Sequence, residues 1–309
     1  MTRAVVFAYH DVGVRCLSVL LAHRVDVALV VTHDDNPAEN IWFRSVAQLA
    51  RLHGIPVATP DDPNDAAFVD TVRATAPEFL FSFYYRSMLS PALLSLVGGR
   101  AYNMHGSLLP AYRGRVPVNW AIIRGETRTG ATLHEMVEKP DAGRIVDQLA
   151  VPVLPNDLAV EVFRKVTTAA EIVLDRCLPS LLAGTAALTP QDPTQGSYYG
   201  GRRPEDGRID WKWTAWQVHN LVRAVAPPYP GAHAQVGQRK LELLRTYYRG
   251  EPAGTQAVPE LRVVNGALRL TCVDGVTLTV VDARLDGVTL TPDNFAKVAG
   301  GERLPLSQQ

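Results

Sequence analysis

Between residues 3 and about 188, short runs rich in Val, Ile and Phe alternate with segments in which apolar side chains recur every three to four positions. Short continuous apolar runs suit strands covered on both faces, and the helical period suits the segments that cover them. The alternation therefore predicts an α/β fold, a Rossmann-like parallel sheet flanked by helices. The strand runs lie at residues 4–8, 25–32, 55–58, 79–83 and 101–104. At Ser90-Pro91 a helix start is expected, with the serine capping free amides and the proline in the first turn.

The period is lost over residues 189–206, where two prolines precede Ser197 and the run Gly200-Gly-Arg-Arg-Pro204 follows. This stretch reads as a linker. It divides the chain into an expected catalytic domain at 1–188 and a C-terminal domain at 207–309. The second part opens with a helix at 214–225, then a Pro-rich turn and short strands, among them 268–272 and 276–281. Short strands punctuated by Gly and Asn predict a small antiparallel, OB-like β-barrel. No internal repeat or low-complexity tract is present.

Length supports the two-domain reading, because 309 residues exceed what one core usually holds. The 31 basic and 31 acidic residues balance. The chain thus lacks a global field for a polyanion, and no nucleic-acid partner is expected. Cys16, Cys177 and Cys272 are too far apart for a zinc site or a disulfide framework, and read as reduced, mostly buried thiols of a cytoplasmic protein. The first apolar run spans five residues, too short for a signal peptide, and no run approaches a membrane span.

Candidate chemistry concentrates in Asn103-Met-His-Gly-Ser-Leu-Leu-Pro110 and Asp141-Ala-Gly143. Open α/β sheets place their sites beyond the carboxyl ends of the strands, where His105 stands. Moving an acyl carbon between two nitrogens needs a donor for the developing oxyanion and a group that relays a proton. The Asn103 amide can supply the first. The His105 imidazole suits the second. Asp141 can orient that imidazole and raise its basicity, as a buried carboxylate does in a hydrolase triad. A lone histidine at a strand end is in general a packed structural residue; the Asn two positions earlier and the aspartate in a Pro-Asp-Ala-Gly turn change that reading.

Other signals are weaker. Ser107 lacks a nucleophile elbow and reads as loop scaffold. Tyr112, Arg113 and Arg115 form a basic, aromatic loop suited to a carboxylate or phosphate, or else a solvated surface loop. Gly125 to Gly130 has the glycine spacing of a phosphate loop, but Ala131 occupies the lysine position, so neither ATP nor NAD is implied. His10-Asp11 and His33-Asp34-Asp35 resemble metal-ligand pairs, yet adjacent side chains on an extended chain diverge, and no metal is expected.

The stretch from Asn103 to Asp141, with Tyr112-Arg-Gly-Arg115 and Gly130-Ala-Thr-Leu-His134 inside it, resembles the folate-dependent formyltransferases. The runs Val5 to Asp11, Thr32 to Pro37, Phe81 to Arg86, Tyr199 to Pro204 and Val222 to Val225 are similar to the branch acting on UDP-4-amino-4-deoxy-L-arabinose. The resemblance implies 10-formyltetrahydrofolate as the donor co-substrate. It implies the 4-amino group of that UDP-linked amino sugar as acceptor, and a role in lipid A modification and resistance to cationic peptides such as polymyxin. It also implies a folate pocket from Ser87, Met88, Leu89, Arg115, Val137, Glu138, Lys139, Pro140 and Asp141. Arg202 and Arg203 are expected near the diphosphate, with Tyr or Trp side chains stacking the uracil. In many bacteria the enzyme is fused to an NAD-dependent UDP-glucuronate decarboxylase; with the sequence ending at Gln309, any such decarboxylase is expected to be a separate chain.

Three rivals share parts of this pattern. Methionyl-tRNA formyltransferase carries the same motifs but calls for a basic insertion, whereas the run from His33 to Asn40 is acidic. Formyltransferases of other nucleotide-linked amino sugars use the same chemistry. A folate-binding regulatory module would not need Asn103, His105 and Asp141 intact.

Overall fold

The computed structural model describes residues 2–250 and 253–306. The chain divides into two compact units, neither of them continuous in sequence. The first comprises Met1–Pro117, Thr129–Val151 and Phe163–Gly200, and the second Val118–Arg128, Pro152–Val162 and Gly201–Gln309. Two short stretches of the expected catalytic domain therefore fold with the second unit.

The elements run β1 (Arg3–Ala8), α1 (His10–Ala22), β2 (Asp26–Val31), α2 (Val46–Leu52), β3 (Val57–Ala58), α3 (Ala66–Ala74), β4 (Phe79–Phe83), α4 (Pro91–Leu94) and β5 (Ala101–His105). They continue through β6 (Arg113–Gly114), α5 (Pro117–Ile123), β7 (Arg128–Glu135), β8 (Ile145–Pro152), α6 (Ala159–Leu182) and β9 (Tyr198–Tyr199). One seven-stranded sheet has the order β3-β2-β1-β4-β5-β7-β8. Strands β3, β2, β1, β4 and β5 pair in parallel, and β7 pairs antiparallel to β5, so the sheet is mixed.

Every residue of Phe79–Phe83, and the run from Ala4 to Ala8, is buried. Successive strand side chains face opposite ways, so both faces of these strands are covered. This is why they appear in the sequence as unbroken apolar runs rather than as alternation. The three cysteines are buried and free, and among the described residues no helix is long and apolar enough to cross a membrane.

Two local expectations change. Ser90 precedes α4, with Pro91 at its first position, but the serine hydroxyl makes no capping hydrogen bond and is buried without one. The helix is a single turn, and its entry is anchored instead by Asn64, whose Oδ1 accepts from the Ser90 amide at 2.7 Å. The stretch read as a linker is built into the first unit as far as Gly200. Thr189 bridges Ile145, the Gln191 amide donates to the carbonyls of Asp141 (3.1 Å) and Gly143 (2.5 Å), and β9 pairs in parallel with β6. A strand of two residues leaves no periodic trace in a sequence.

The second unit holds α7 (Ala215–Val225), then β10 (Ala232–Val236), β11 (Arg239–Tyr247), β12 (Glu260–Val264), β13 (Ala267–Thr271), β14 (Thr277–Leu285), β15 (Val288–Thr289), α8 (Phe295–Ala299) and β16 (Arg303–Pro305). Its strands are all antiparallel, in the path β10-β11-β14-β13-β12-β16 with β15 beside β14. Among the described residues the end strands β10 and β16 do not pair, so an antiparallel sheet without closure stands where a small OB-like barrel was expected. Closure needs a stagger between end strands that strand number and turn residues do not encode.

Helix α7 begins with a capping box between Thr214 and Gln217. Its Arg223 is almost fully buried; the guanidinium donates to Asn220 Oδ1 at 2.9 Å and to the carbonyls of Leu154 and Asp157 at 3.1 and 3.2 Å. One turn earlier, His219 bonds Thr246 Oγ1 at 2.8 Å and the Pro155 carbonyl at 2.9 Å. Burial, with Arg223 adding to it, lowers its pKa to about 4 from 6.5. The unfolded chain thus takes up this proton first as pH falls. The stabilisation is complete above about pH 6.5 and is lost on descending towards pH 4, by which point the loss amounts to about 3 kcal/mol. The thermal midpoint is expected to fall across that window, and His219→Gln to flatten the profile. An unchanged slope in the variant would assign the acid sensitivity elsewhere.

Candidate active site

Asn103 and His105 lie two residues apart on β5 and so project from the same face. The antiparallel register sets Asn103 opposite His134 and His105 opposite Thr132 on β7. The Asn103 amide nitrogen is 3.1 Å from His134 Nε2. His134 was absent from the residues expected at the site. Its signal existed in principle, since it belongs to the run Gly130 to His134, but only the β5–β7 register reveals its partner.

Asp141 sits in the loop between β7 and β8 with a left-handed φ of 52°, a conformation Asp tolerates better than most residues. The loop base is closed by Arg144, which grips Glu135 with two bonds of 2.6 Å. A Cβ on Gly143 would collide with the Glu135 carbonyl. From this loop Asp141 Oδ1 stands 3.6 Å from His105 Nδ1 and 3.4 Å from His134 Nε2, while Oδ2 accepts from the Gly114 amide at 2.9 Å. Burial alone would raise the Asp141 pKa, but the two histidines and the Gly114 amide outweigh it and hold the carboxyl well below its usual range. Asp141 is an anion at neutral pH.

His105 Nε2 is 2.8 Å from the Tyr112 carbonyl. A carbonyl can only accept, so neutral His105 carries its hydrogen on Nε2 and its lone pair on Nδ1. The nitrogen able to take a proton therefore faces Asp141. This differs from the hydrolase arrangement, in which the carboxylate receives the N–H of the other ring nitrogen. Burial pushes the imidazole pKa down, and Asp141 and the Tyr112 contact oppose it. The cluster is a low-dielectric site with one fixed anion, an imidazole whose free lone pair could accept a proton beside it, and an amide within the same group.

Tyr112 and Arg113 are held by β6 and its partner: the Tyr112 ring stacks on Tyr199 at 5.3 Å, and Arg113 is buried rather than solvated. Ser107 donates to the Ala111 carbonyl at 2.6 Å, consistent with a loop scaffold. Beside Asn103 and Asp141 opens a pocket of about 330 Å³. Of the expected folate residues it is lined by Ser87, Met88, Leu89, Arg115, Val137, Pro140 and Asp141; Glu138 and Lys139 are exposed and are not part of its wall. Ser82, Tyr85, Arg86, Leu94, Gly114, His134, Met136 and Tyr198 also line it without having been anticipated. Arg86 is already committed to Glu39 through two bonds of 2.8 Å. Arg202 and Arg203 belong to the second unit, where the Arg202 guanidinium lies 4.8 Å over the Trp120 ring and donates to the Asp206 carbonyl at 2.7 Å. Among the described residues no cluster of three metal-ligating groups occurs.

The fold is shared with solved formyltransferases. An N-formyltransferase from Helicobacter canadensis, in complex with folinic acid and dTDP-3-aminofucose, superposes with a TM-score of 0.72 at 18% identity, covering 91% of this chain and 99% of that one. WlaRD, a sugar 3N-formyl transferase solved with dTDP and 5-N-formyl-THF, gives 0.71 at 18% identity over 91% and 97%. Phosphoribosylglycinamide formyltransferase from Bacillus halodurans gives 0.52 at 26% identity over 59% and 96%. At the level of sequence, residues 16–178 match the family described as formyl transferase, and residues 202–300 match the formyl transferase C-terminal domain. With the Asn103, His105 and Asp141 cluster inside the first of these spans, the chain belongs to the formyl transferase family.

Proposed function

We propose that this protein transfers a formyl group from 10-formyltetrahydrofolate to the amino group of a nucleotide-linked sugar, with the 4-amino group of UDP-4-amino-4-deoxy-L-arabinose as acceptor. The observation that carries the reading is the meeting of Asn103, His105 and Asp141 beside a partly apolar pocket. Solved structures of the same fold hold folinic acid with dTDP-3-aminofucose, or dTDP with 5-N-formyl-THF, which supports this pairing of ligands. The residues present fit a folate. Leu89, Leu94, Met136 and Val137 provide an apolar wall for a ring system, and the exposed Arg115 offers a cation for a carboxylate.

Bound there, the donor supplies an activated formyl group on an aryl-substituted nitrogen that can depart. The rest is work for the chain. The Asn103 amide donates to the formyl oxygen as it gains negative charge. His105 Nδ1 takes the proton released by the attacking sugar amine, and Asp141 stabilises the imidazolium at 3.6 Å. The same proton then passes to the departing nitrogen, so one C–N bond forms, one breaks, and the enzyme returns to its starting protonation. Burial of His105 and Asp141 excludes water that would otherwise take the formyl group.

For the nucleotide, Arg202 and Arg203 remain the proposed diphosphate contacts. A charge-assisted hydrogen bond is worth about 1.5 to 3 kcal/mol. Arg202→Ala and Arg203→Ala are therefore expected to raise the sugar-nucleotide KM about tenfold to a hundredfold, leaving the folate KM within a few-fold. Unchanged sugar-nucleotide KM values in both variants would remove these residues from the site.

The decisive experiment places the protein with 10-formyltetrahydrofolate and three acceptors in one tube: UDP-4-amino-4-deoxy-L-arabinose, a dTDP-linked amino hexose and charged initiator methionyl-tRNA. Mass spectrometry then reports which is formylated. The UDP sugar alone is the expected product. Formylation of the dTDP sugar keeps the mechanism and changes the pathway, and formylation of the tRNA overturns the acceptor class. Tight folate binding with no product from any amine points to a regulatory folate-binding module.

A further inference from the structure

We infer that His134 acts as a positioning residue for Asn103: while neutral, its ring holds the Asn103 amide so that one of the two amide hydrogens remains directed at the reacting oxygen. This rests on the reading of Asn103 as the oxyanion donor. His134 is buried and both its ring nitrogens are engaged. Nδ1 is 2.7 Å from the carbonyl of Glu135. A carbonyl only accepts, so Nδ1 bears a hydrogen in every protonation state of the ring. The neutral ring therefore keeps its lone pair on Nε2, which lies 3.1 Å from the Asn103 amide nitrogen.

That geometry gives the amide one orientation. Asn103 donates one hydrogen to Nε2 and keeps the other for the cleft. Asp141 Oδ1 lies 3.4 Å from the same Nε2.

Four groups surround the His134 ring: Asn103 and His105 from β5, Glu135 through its carbonyl on β7, and Asp141 from the following loop.

The test compares His134→Leu, which removes the acceptor and keeps bulk, with His134→Gln, whose side-chain oxygen can accept from Asn103. His134→Leu is expected to lower kcat about ten- to a hundredfold, below the full loss of an oxyanion donor, while the folate Kd stays within about threefold. His134→Gln is expected to recover at least about a tenth of the wild-type kcat. In the double variant His134→Leu with Asn103→Ala, kcat should be no lower than in Asn103→Ala alone. Should His134→Leu fold poorly, His134→Gln and the wild type decide through a second readout, hydrogen exchange of the 15N-labelled Asn103 side-chain amide at one fixed pH. Protection of one of the two amide hydrogens in the wild type and in His134→Gln supports the inference. Equal, unprotected exchange of both hydrogens, additive effects in the double variant, or a His134→Leu kcat close to wild type overturns it. The exchange experiment needs no acceptor, so it separates failure of this inference from failure of the proposed transfer.

Discussion

His105→Ala is expected to lower kcat by about two to four orders of magnitude while the KM values for donor and acceptor move by no more than a few-fold. The reason lies in the ring's two contacts. Nε2–H is spent on the Tyr112 carbonyl at 2.8 Å, leaving Nδ1 as the proposed base. Alanine removes the base, and water admitted to the cavity is a far weaker one. The Tyr112 carbonyl loses its donor, so a modest drop in thermal midpoint should accompany the kinetic loss. A variant that folds, binds folate and turns over near the wild-type rate would sink the mechanism.

Asp141→Asn is expected to reduce kcat about a hundredfold or more and to shift its acid limb to lower pH. The substitution keeps an oxygen for the Gly114 amide, so the loop between β7 and β8 should hold. What it removes is the anion beside His105 Nδ1. Burial already pushes that imidazole down, and Asp141 is the main opposing influence. Without it the base is weaker at every pH, and the ring resists protonation until lower pH. Asp141 itself does not account for the wild-type acid limb, because His105, His134 and the Gly114 amide keep it ionised far below neutrality. Its contribution to stability is present above the usual carboxylate pKa and lost only as pH falls below it. A pH profile of kcat for both proteins decides the point, and superimposable acid limbs would exclude Asp141 as the charge partner of His105.

The active-site cluster and the fold were legible to different depths. The run Phe79 to Phe83 announced a central strand because both its faces are covered, which leaves no polar position to obscure the pattern. Asn103 and His105 could be placed on one face of one strand because strand parity is local. Asp141 was reached only through motif resemblance, since in isolation it is an ordinary turn aspartate with a left-handed backbone.

The sequence by itself determined the first five strands, the α/β character of the first unit, the pairing of Asn103 with His105, and the absence of a P-loop lysine. These depend on interactions within a few residues of each other: apolar periodicity, turn chemistry and side-chain parity. Only the tertiary structure decided which side chains meet. The Asn103–His134 contact spans 31 residues and follows from the β5–β7 register. The stretch read as a linker was revealed as part of the site's frame by the Tyr112 amide bonding Ser197 across 85 residues. The tautomer of His105 depends on a backbone carbonyl seven residues away, whose direction is set by the left-handed Tyr112. The open sheet of the second unit likewise depends on how its end strands are placed, which no single strand records. Hydrophobic pattern reports how much of a segment is buried; it carries no term for the partner, and the partner selects the donor, the base and the charge.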